Sequence, residues 1–169
     1  MFSRINIWLI VFDHIKTMRN FATDKVSVED VLLFLVTPIG GAVLLVFGMQ
    51  FRLDAEAANA LITSLSLFSA LLFNLLLLIF DILRKENSTR DGTPLRRQFL
   101  SQIYSNVSFG ILIAVICIAL LLLLFVDLEA AFLVYALNLV VDMLVINFIL
   151  TMLMILKRVH ILLRKEAPP

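Results

Sequence analysis

The run "LNLVVDMLVINFILTM", Leu137 to Met152, is aliphatic along most of its length and holds one acidic residue, Asp142. A helix needs about 20 mostly apolar residues to cross the hydrocarbon of a bilayer. The apolar stretch around this run extends from residue 129 to residue 157, and Asp142 falls near its middle. The sequence therefore predicts a transmembrane helix with a carboxyl group near the bilayer midplane.

Three more apolar stretches have a similar length, at residues 28–51, 60–84 and 105–126. Hydrophobic residues make up 62% of the 169-residue chain, well above the roughly half found in soluble domains, and the mean hydropathy is +1.03. The four stretches leave little chain for a soluble domain. The predicted fold is an all-α membrane protein with a four-transmembrane-helix bundle at residues 27–157.

Basic residues predict the orientation, because Lys and Arg favour the cytoplasmic side of a membrane. Of the 14 Lys and Arg residues, all but Arg52 lie before the first span, between the second and third spans, or after the fourth. Both termini are therefore expected in the cytoplasm, with residues 158–169 forming a basic tail.

Residues 1–26 predict an amphipathic helix that lies in the inner membrane interface. Apolar residues share one helical face: Phe2, Ile5, Trp8, Leu9, Phe12 and Ile15. Charged residues fall elsewhere: Arg4, Asp13, Lys16 and Arg19. The apolar run is too short for a secretory signal, and no small-residue cleavage site follows it. This helix is either a static anchor or an element that moves during gating.

The first span contains the sequence "TPIGG", Thr37 to Gly41. Pro38 removes a backbone donor and clashes with the preceding turn, while Gly40 and Gly41 loosen the turn that follows. We expect a kink near the cytoplasmic third of this span. The kink is either static or a gating hinge.

The second span carries a polar stripe that follows its axis. At about 100° per residue, four polar side chains fall within about 80° of one another: Thr63, Ser66, Asn74 and Asp81. Such a stripe either packs against another helix or lines a water-filled path. The third span has a seam of small and polar residues, for which we expect a structural role: Asn106, Gly110, Ala114 and Cys117.

Asp142 has no Lys, Arg or His deep in any span to neutralise it. An acidic side chain at this depth is either protonated and hydrogen-bonded inside the bundle or directed into an aqueous path. Asn138 and Asp127 share its side of the helix, whereas Asn147 lies opposite and is expected to bond a neighbouring helix. The predicted pore-lining residues are Thr63, Ser66, Asn74, Asp81, Asp127, Asn138 and Asp142.

Four spans can barely enclose a path, so the channel interpretation implies a homo-oligomer, with a tetramer among the open copy numbers. The outer connections are acidic apart from Arg52, which favours cations. The inner loop "RKENSTRDGTPLRRQF", residues 84–99, places Arg84, Lys85, Arg96 and Arg97 at the cytoplasmic mouth. These residues either follow the ordinary positive-inside bias and contact anionic lipid, or bind an anionic ligand such as a nucleotide or oligonucleotide.

The sequence has no phosphate-binding glycine loop and no Cys or His cluster with metal-ligand spacing. We therefore expect no enzymatic activity, no metal site and no cofactor. This leaves conduction and docking of another protein as the main classes of function to compare. A small proton-coupled transporter would also use Asp142, but the chain has no detectable repeat of the kind that many transporters show.

The architecture, together with "LITSLSLFSALLFNLLLLIFDILRKE" at residues 61–86, resembles that of the small four-span membrane effectors of bacterial anti-phage defence systems. The resemblance implies a channel or pore-type effector in a bacterial inner membrane, restrained until infection and opened by a cytoplasmic signal. It also implies a cytosolic partner such as a nucleotidyltransferase. The alternative is a non-conducting membrane anchor or adaptor that docks a cytosolic partner through the inner loop and the basic tail.

Overall fold

The computed structural model describes residues 7–17, 28–89, 94–125 and 131–166, of which 94% are helical, with no strand among them. The order of elements is α1 Ile7–Thr17, α2 Val28–Val43, a π-helix Leu44–Gly48, α3 Ala55–Thr89, α4 Pro94–Leu123 and α5 Ala131–Glu166. The predicted all-α architecture is confirmed.

Three helical stretches are long and apolar enough to cross a membrane: Ala55–Lys85, Arg96–Leu123 and Phe132–Arg164. A fourth apolar stretch, Leu32–Gly48, is shorter. The 35 residues of α3 extend over roughly 50 Å at about 1.5 Å per residue, well beyond a hydrocarbon thickness of about 30 Å. The chain is thus a helical integral membrane protein whose long helices continue past the apolar core.

The structure differs from the predicted boundaries at the basic ends of these helices. Helix α4 begins at Pro94, eleven residues before the predicted span, because the polar residues that precede the apolar run continue the same helix. Helix α5 likewise continues to Glu166, so the tail predicted at residues 158–169 is helical as far as the structure describes it. Hydropathy marks where a helix leaves lipid, and not where its hydrogen bonding stops.

The helices form an open layer in which α4 and α5 are central. Helix α3 packs on α4, α4 on α5, and α5 on α2 and the π-helix, while α1 packs on α4. Within the described residues, α2 and α3 do not pack on each other although they are consecutive in the chain. The bundle is therefore not closed into a ring.

The seam expected on the third span is confirmed as a packing surface. Asn106, Ala114 and Cys117 are each 0% exposed. A Cβ atom on Gly110 would lie 3.3 Å from Cδ1 of Leu72, closer than most side chains approach. Small residues on α4 thus let α3 and α5 pack closely against it.

Candidate functional site

Asp142 lies in the buried interior of α5 and is 6% exposed. Its Oδ2 atom has no hydrogen-bond partner among the described residues. The neighbouring Val141 is fully buried, so this part of α5 is a tightly packed interior surface. The carboxyl group therefore lies between the helices of one chain, and both of its predicted roles stay predictions.

Two other polar side chains of α5 bond to backbone groups. Asn138 accepts a hydrogen bond from the Leu53 N–H at 3.2 Å and donates to the Val134 carbonyl at 2.8 Å. The Thr151 hydroxyl donates to the Asn147 carbonyl at 2.9 Å. Asn138 thus ties the connection before α3 to α5, and its amide is already engaged within the subunit.

Asn147 compensates for the proline in α2. Pro38 has no N–H, so the carbonyl of Phe34, four residues earlier, lacks its normal helical donor. The side-chain Nδ2 of Asn147 donates to that carbonyl at 3.3 Å. The prediction that Asn147 bonds a neighbouring helix is confirmed.

The predicted hinge residues have different surroundings. Pro38 is fully buried, and a Cβ atom on Gly41 would lie 2.8 Å from the end of the Ile146 side chain, so Gly41 permits close packing of α2 on α5. Gly40 has open space around its α-carbon. The π-helix that follows α2 widens the helical turn where this segment ends. Whether the segment bends during gating stays a prediction.

The polar stripe of the second span lies on the outer face of α3, where all four of its side chains are exposed: Thr63, Ser66, Asn74 and Asp81. The opposite face packs against the other helices through a row with seven-residue spacing, Ala58, Leu65, Leu72 and Ile79, each at most 3% exposed. At about 100° per residue, Thr63, Asn74 and Asp81 point about 160 to 180° away from Leu72. The stripe therefore faces away from the other helices of the chain.

The predicted pore-lining residues thus form two separate groups within one chain. Those of α3 are exposed, whereas Asn138 and Asp142 of α5 are buried. The seventh, Asp127, lies outside the described residues. A single chain does not bring the described members of this set onto one path.

The basic residues proposed to bind a ligand lie at one end of the α3–α4 pair. Arg84 and Lys85 are exposed near the end of α3, and Arg96 and Arg97 are half-buried in the first turn of α4. The two helices pack side by side and are joined by only four residues, 90–93. The four basic residues therefore lie at the same end of the α3–α4 pair, and their role in binding a ligand stays a prediction.

Helix α1 is docked by a buried polar cluster that sequence reasoning missed. Nδ1 of His14 lies 2.9 Å from Oδ1 of Asn106, and the Thr17 hydroxyl lies 2.8 Å from the same oxygen. Nη2 of Arg158 donates to the Thr17 carbonyl at 2.7 Å. We call His14, Thr17, Asn106 and Arg158 the α1 docking cluster; it joins α1 to both α4 and α5.

The docking cluster holds His14 in its neutral form. Burial lowers the pKa of His14 from 6.5 to about 4; the hydrogen bond with Asn106 opposes this shift and the nearby charge of Arg158 adds to it. Because an amide oxygen can only accept, Nδ1 carries the imidazole proton. The ring also stacks on Phe109, with centroids 3.8 Å apart, and meets the edge of Phe34 at 5.7 Å. A protonated ring is thus disfavoured here.

The remaining surface of α1 has an exposed apolar face, as in Trp8 at 69% and Phe12 at 58%, beside an exposed ion pair between Lys16 and Asp13. The sequence indicated this apolar face, and its position in the membrane interface stays a prediction. The contact between His14 and Asn106 could not be predicted from local patterns, because the two residues are 92 positions apart in the sequence.

The described residues contain no cluster of three or more His, Cys, Asp or Glu able to hold a metal ion. Comparisons with protein-family models, with curated proteins and with solved structures found no match to this chain. The structural features that bear on its function are the exposed polar face of α3, the basic end of the bundle and the α1 docking cluster.

Proposed function

We propose that this chain assembles as a homo-oligomeric, signal-gated ion channel in which the outer face of α3 surrounds the symmetry axis. The observation that carries the proposal is the exposure of Asn74 in the middle of α3. A polar side chain within the hydrocarbon needs hydrogen-bond partners, and lipid tails provide none. Neighbouring copies, or water along a shared axis, would provide it.

The spacing along the outer face of α3 supports contact between copies. Exposed residues recur at intervals of three and four: Ala60, Thr63, Leu67, Ala70, Asn74, Leu77 and Asp81. Intervals of this kind are those of a coiled-coil seam, in which small residues permit close approach and a polar residue fixes the register. We call this set the α3 seam.

Acidic residues lie at both ends of the outer face of α3, one of them just before the α3 seam and the other at its last position. Glu56 lies in the first turn of α3, about 160° from the buried row, and Asp81 lies near the basic end of the helix. In a ring of subunits, each carboxylate becomes a ring of negative charge at one mouth. Such rings favour cations, so we propose a cation-selective path.

The topology that completes this proposal has four spans and both termini in the cytoplasm. The 16 residues of α2 and the 5 of the π-helix run without a break from Val28 to Gly48, about 30 Å of helix, which matches the hydrocarbon thickness. The basic ends of α3, α4 and α5 then lie on the same, cytoplasmic side. A bacterial inner membrane is the location to which the architectural resemblance points.

The signal is proposed to act at the basic end. Arg84, Lys85, Arg96 and Arg97 from several copies would concentrate positive charge there, which suits a nucleotide, an oligonucleotide or an acidic surface of a partner such as a nucleotidyltransferase. The α1 docking cluster lies on α4 and α5 near the same end. Anti-phage defence is the biological role in which such a restrained effector would serve.

The competing function is a non-conducting membrane anchor that docks a cytosolic partner. The engagement of Asn138 and Asn147 in bonds within the subunit favours it, because these residues serve packing. An anchor would use the α3 seam only to hold copies together.

Ion currents across planar bilayers distinguish the two functions. We expect discrete cation currents from the purified full-length protein, and a loss of cation selectivity in a Glu56→Gln, Asp81→Asn double variant. Asp142→Asn is the matched control: it also neutralises a carboxyl group, but Asp142 lies inside the subunit, so selectivity should not change. A selectivity change in Asp142→Asn alone would instead place the path inside the subunit, and silent bilayers from folded, oligomeric protein would favour the anchor.

A further inference from the structure

A second site lies at the opposite end of the molecule from the basic cluster. There the π-helix, the connection after it and the start of α5 enclose an open cleft of about 730 Å³. This volume is within the range of about 300 to 1,000 Å³ typical of sites for small ligands. No residue of the α3 seam lines the cleft, so the cleft is independent of conduction.

The floor of the cleft is apolar and aromatic, formed by Val46, Phe47, Phe132 and Leu139. Phe47 is 67% exposed and Phe132 is 81% exposed. In a membrane protein such exposed side chains meet lipid tails. The cleft therefore suits a molecule with a long apolar part.

One edge of the cleft carries hydrogen-bond donors, supplied by Gln50, Arg52 and Tyr135. Cζ of Arg52 lies 4.4 Å from the centroid of the Tyr135 ring. Such a cation–π contact leaves N–H donors of the guanidinium able to form hydrogen bonds. No carboxylate among the described residues lies within ion-pairing distance of Arg52.

The backbone holds Arg52 in place. The Phe51 N–H donates to the Leu45 carbonyl at 2.9 Å, and the Leu53 N–H donates to Oδ1 of Asn138 at 3.2 Å. Gln50 has a φ of 52°, a conformation that is uncommon for residues other than glycine and that occurs often at ligand-binding positions. A charged donor is thus fixed above an apolar cleft.

The charge of Arg52 also needs an explanation on this side of the protein. It is the single Lys or Arg among the 14 in the sequence that lies in a predicted outer connection, where basic residues are disfavoured. A guanidinium forms two parallel hydrogen bonds with phosphate oxygens. Fixed charge beside an apolar floor is complementary to a phosphate group that carries acyl chains.

We propose that the cleft between the π-helix and α5 binds one anionic phospholipid, with its phosphate on Arg52 and an acyl chain against Phe47, Phe132 and Leu139. The site would belong to each subunit and requires only that the protein lies in a membrane. Its failure would leave the channel proposal unchanged.

Native mass spectrometry of the delipidated full-length protein tests this site. The protein is titrated with phosphatidylglycerol and with phosphatidylcholine in separate experiments, and then with phosphatidylglycerol in the presence of an equal concentration of inorganic phosphate. The last experiment distinguishes binding of a whole lipid from binding of phosphate alone. We expect phosphatidylglycerol to bind about fivefold more tightly than phosphatidylcholine, because both lipids carry the phosphate but the choline ammonium of phosphatidylcholine offsets its negative charge. Inorganic phosphate should not compete at equal concentration, because it lacks the apolar part.

Matched variants assign the effect to the cleft. Arg52→Gln should remove the preference, Arg52→Lys should keep part of it, and Arg164→Gln, which removes an exposed basic residue at the other end, should leave it unchanged. Phe132→Ser should weaken binding of both lipids, and this variant tests the site even if Arg52→Gln does not fold. Equal binding of both lipids by the wild type, an unchanged preference in Arg52→Gln, or competition by phosphate would overturn the proposal.

Discussion

Asn147 stabilises a carbonyl that Pro38 leaves without its helical donor. We expect Asn147→Leu to lower the free energy of unfolding by about 1 to 3 kcal/mol, the usual cost of a buried acceptor left unpaired. In a Pro38→Ala background the backbone N–H is restored, so the same change should cost less than about 0.5 kcal/mol. Unfolding in detergent, followed by circular dichroism, measures both effects.

Asn59→Leu is the control for that cycle, since Asn59 is exposed at the start of α3 and its replacement should have little effect. Strict additivity of Asn147→Leu and Pro38→Ala would contradict the account, because two residues that act on one carbonyl must be coupled.

His14 makes the docking of α1 sensitive to acid. Its pKa is lowered from 6.5 to about 4 in the docked state, so the neutral ring stabilises docking fully above about pH 6.5. As the pH falls from 6.5 to 4, His14 becomes protonated in the undocked state while it stays mostly neutral in the docked state. The free energy that favours docking therefore falls by roughly 3 kcal/mol. Arg158 is the charged group of α5 in the cluster, and its charge adds to the lowering of the His14 pKa.

Trp8 reports this change, because it lies on α1 and is the single tryptophan of the chain. We expect its quenching by acrylamide to change between about pH 6.5 and pH 4. The change should persist in His160→Gln and disappear in His14→Gln. An identical pH profile in His14→Gln would show that another group is responsible.

Helix α3 has two faces with different tasks. The buried row packs on α4, and the α3 seam is proposed to meet other copies. We expect Asn74→Leu to weaken self-association about 3- to 30-fold, from the roughly 0.6 to 2 kcal/mol that an interhelical hydrogen bond contributes in lipid. Energy transfer between labelled copies in lipid vesicles measures the change.

Phe73→Leu is the matched control, because Phe73 is the neighbouring residue on α3, is 53% exposed and lies off the seam. Equal association of Asn74→Leu and wild type would contradict the role given to the α3 seam.

The sequence was informative about elements, because apolar runs, basic flanks and polar stripes are local patterns. The stripe on α3 and the seam on α4 were both visible from helical spacing alone. The docking of α1 was not, since His14, Asn106 and Arg158 come from three separated segments. The hydrogen bond from Asn147 to the carbonyl that Pro38 leaves without a donor was predicted only in part. The sequence indicated a kink at Pro38 and a bond from Asn147 to a neighbouring helix, but it did not indicate that the two features meet.

The arrangement of the whole molecule was the least predictable feature. Four apolar stretches indicated a helical bundle, and within it the structure arranges the described helices as an open layer with α4 and α5 at its centre. In lipid there is no hydrophobic driving force between helices, because acyl chains are as apolar as the helix surfaces. Hydropathy therefore does not determine which helices pair. Small residues decide instead, and Gly41 and Gly110 mark two of the pairings. The open arrangement also explains why α5 and α3 present their polar residues in different directions.

The most direct test is single-channel current through an Asn74→Cys protein made in a Cys117→Ser background, before and after addition of a cationic thiol reagent. Cys117 is the single cysteine of the sequence, so its replacement leaves the introduced thiol as the one that the reagent can modify. If α3 lines a cation path, the current should fall sharply on modification, while a Phe73→Cys protein in the same background should be unaffected. Currents that persist unchanged after complete modification of the thiol at position 74, or no current from folded oligomers, would contradict the account.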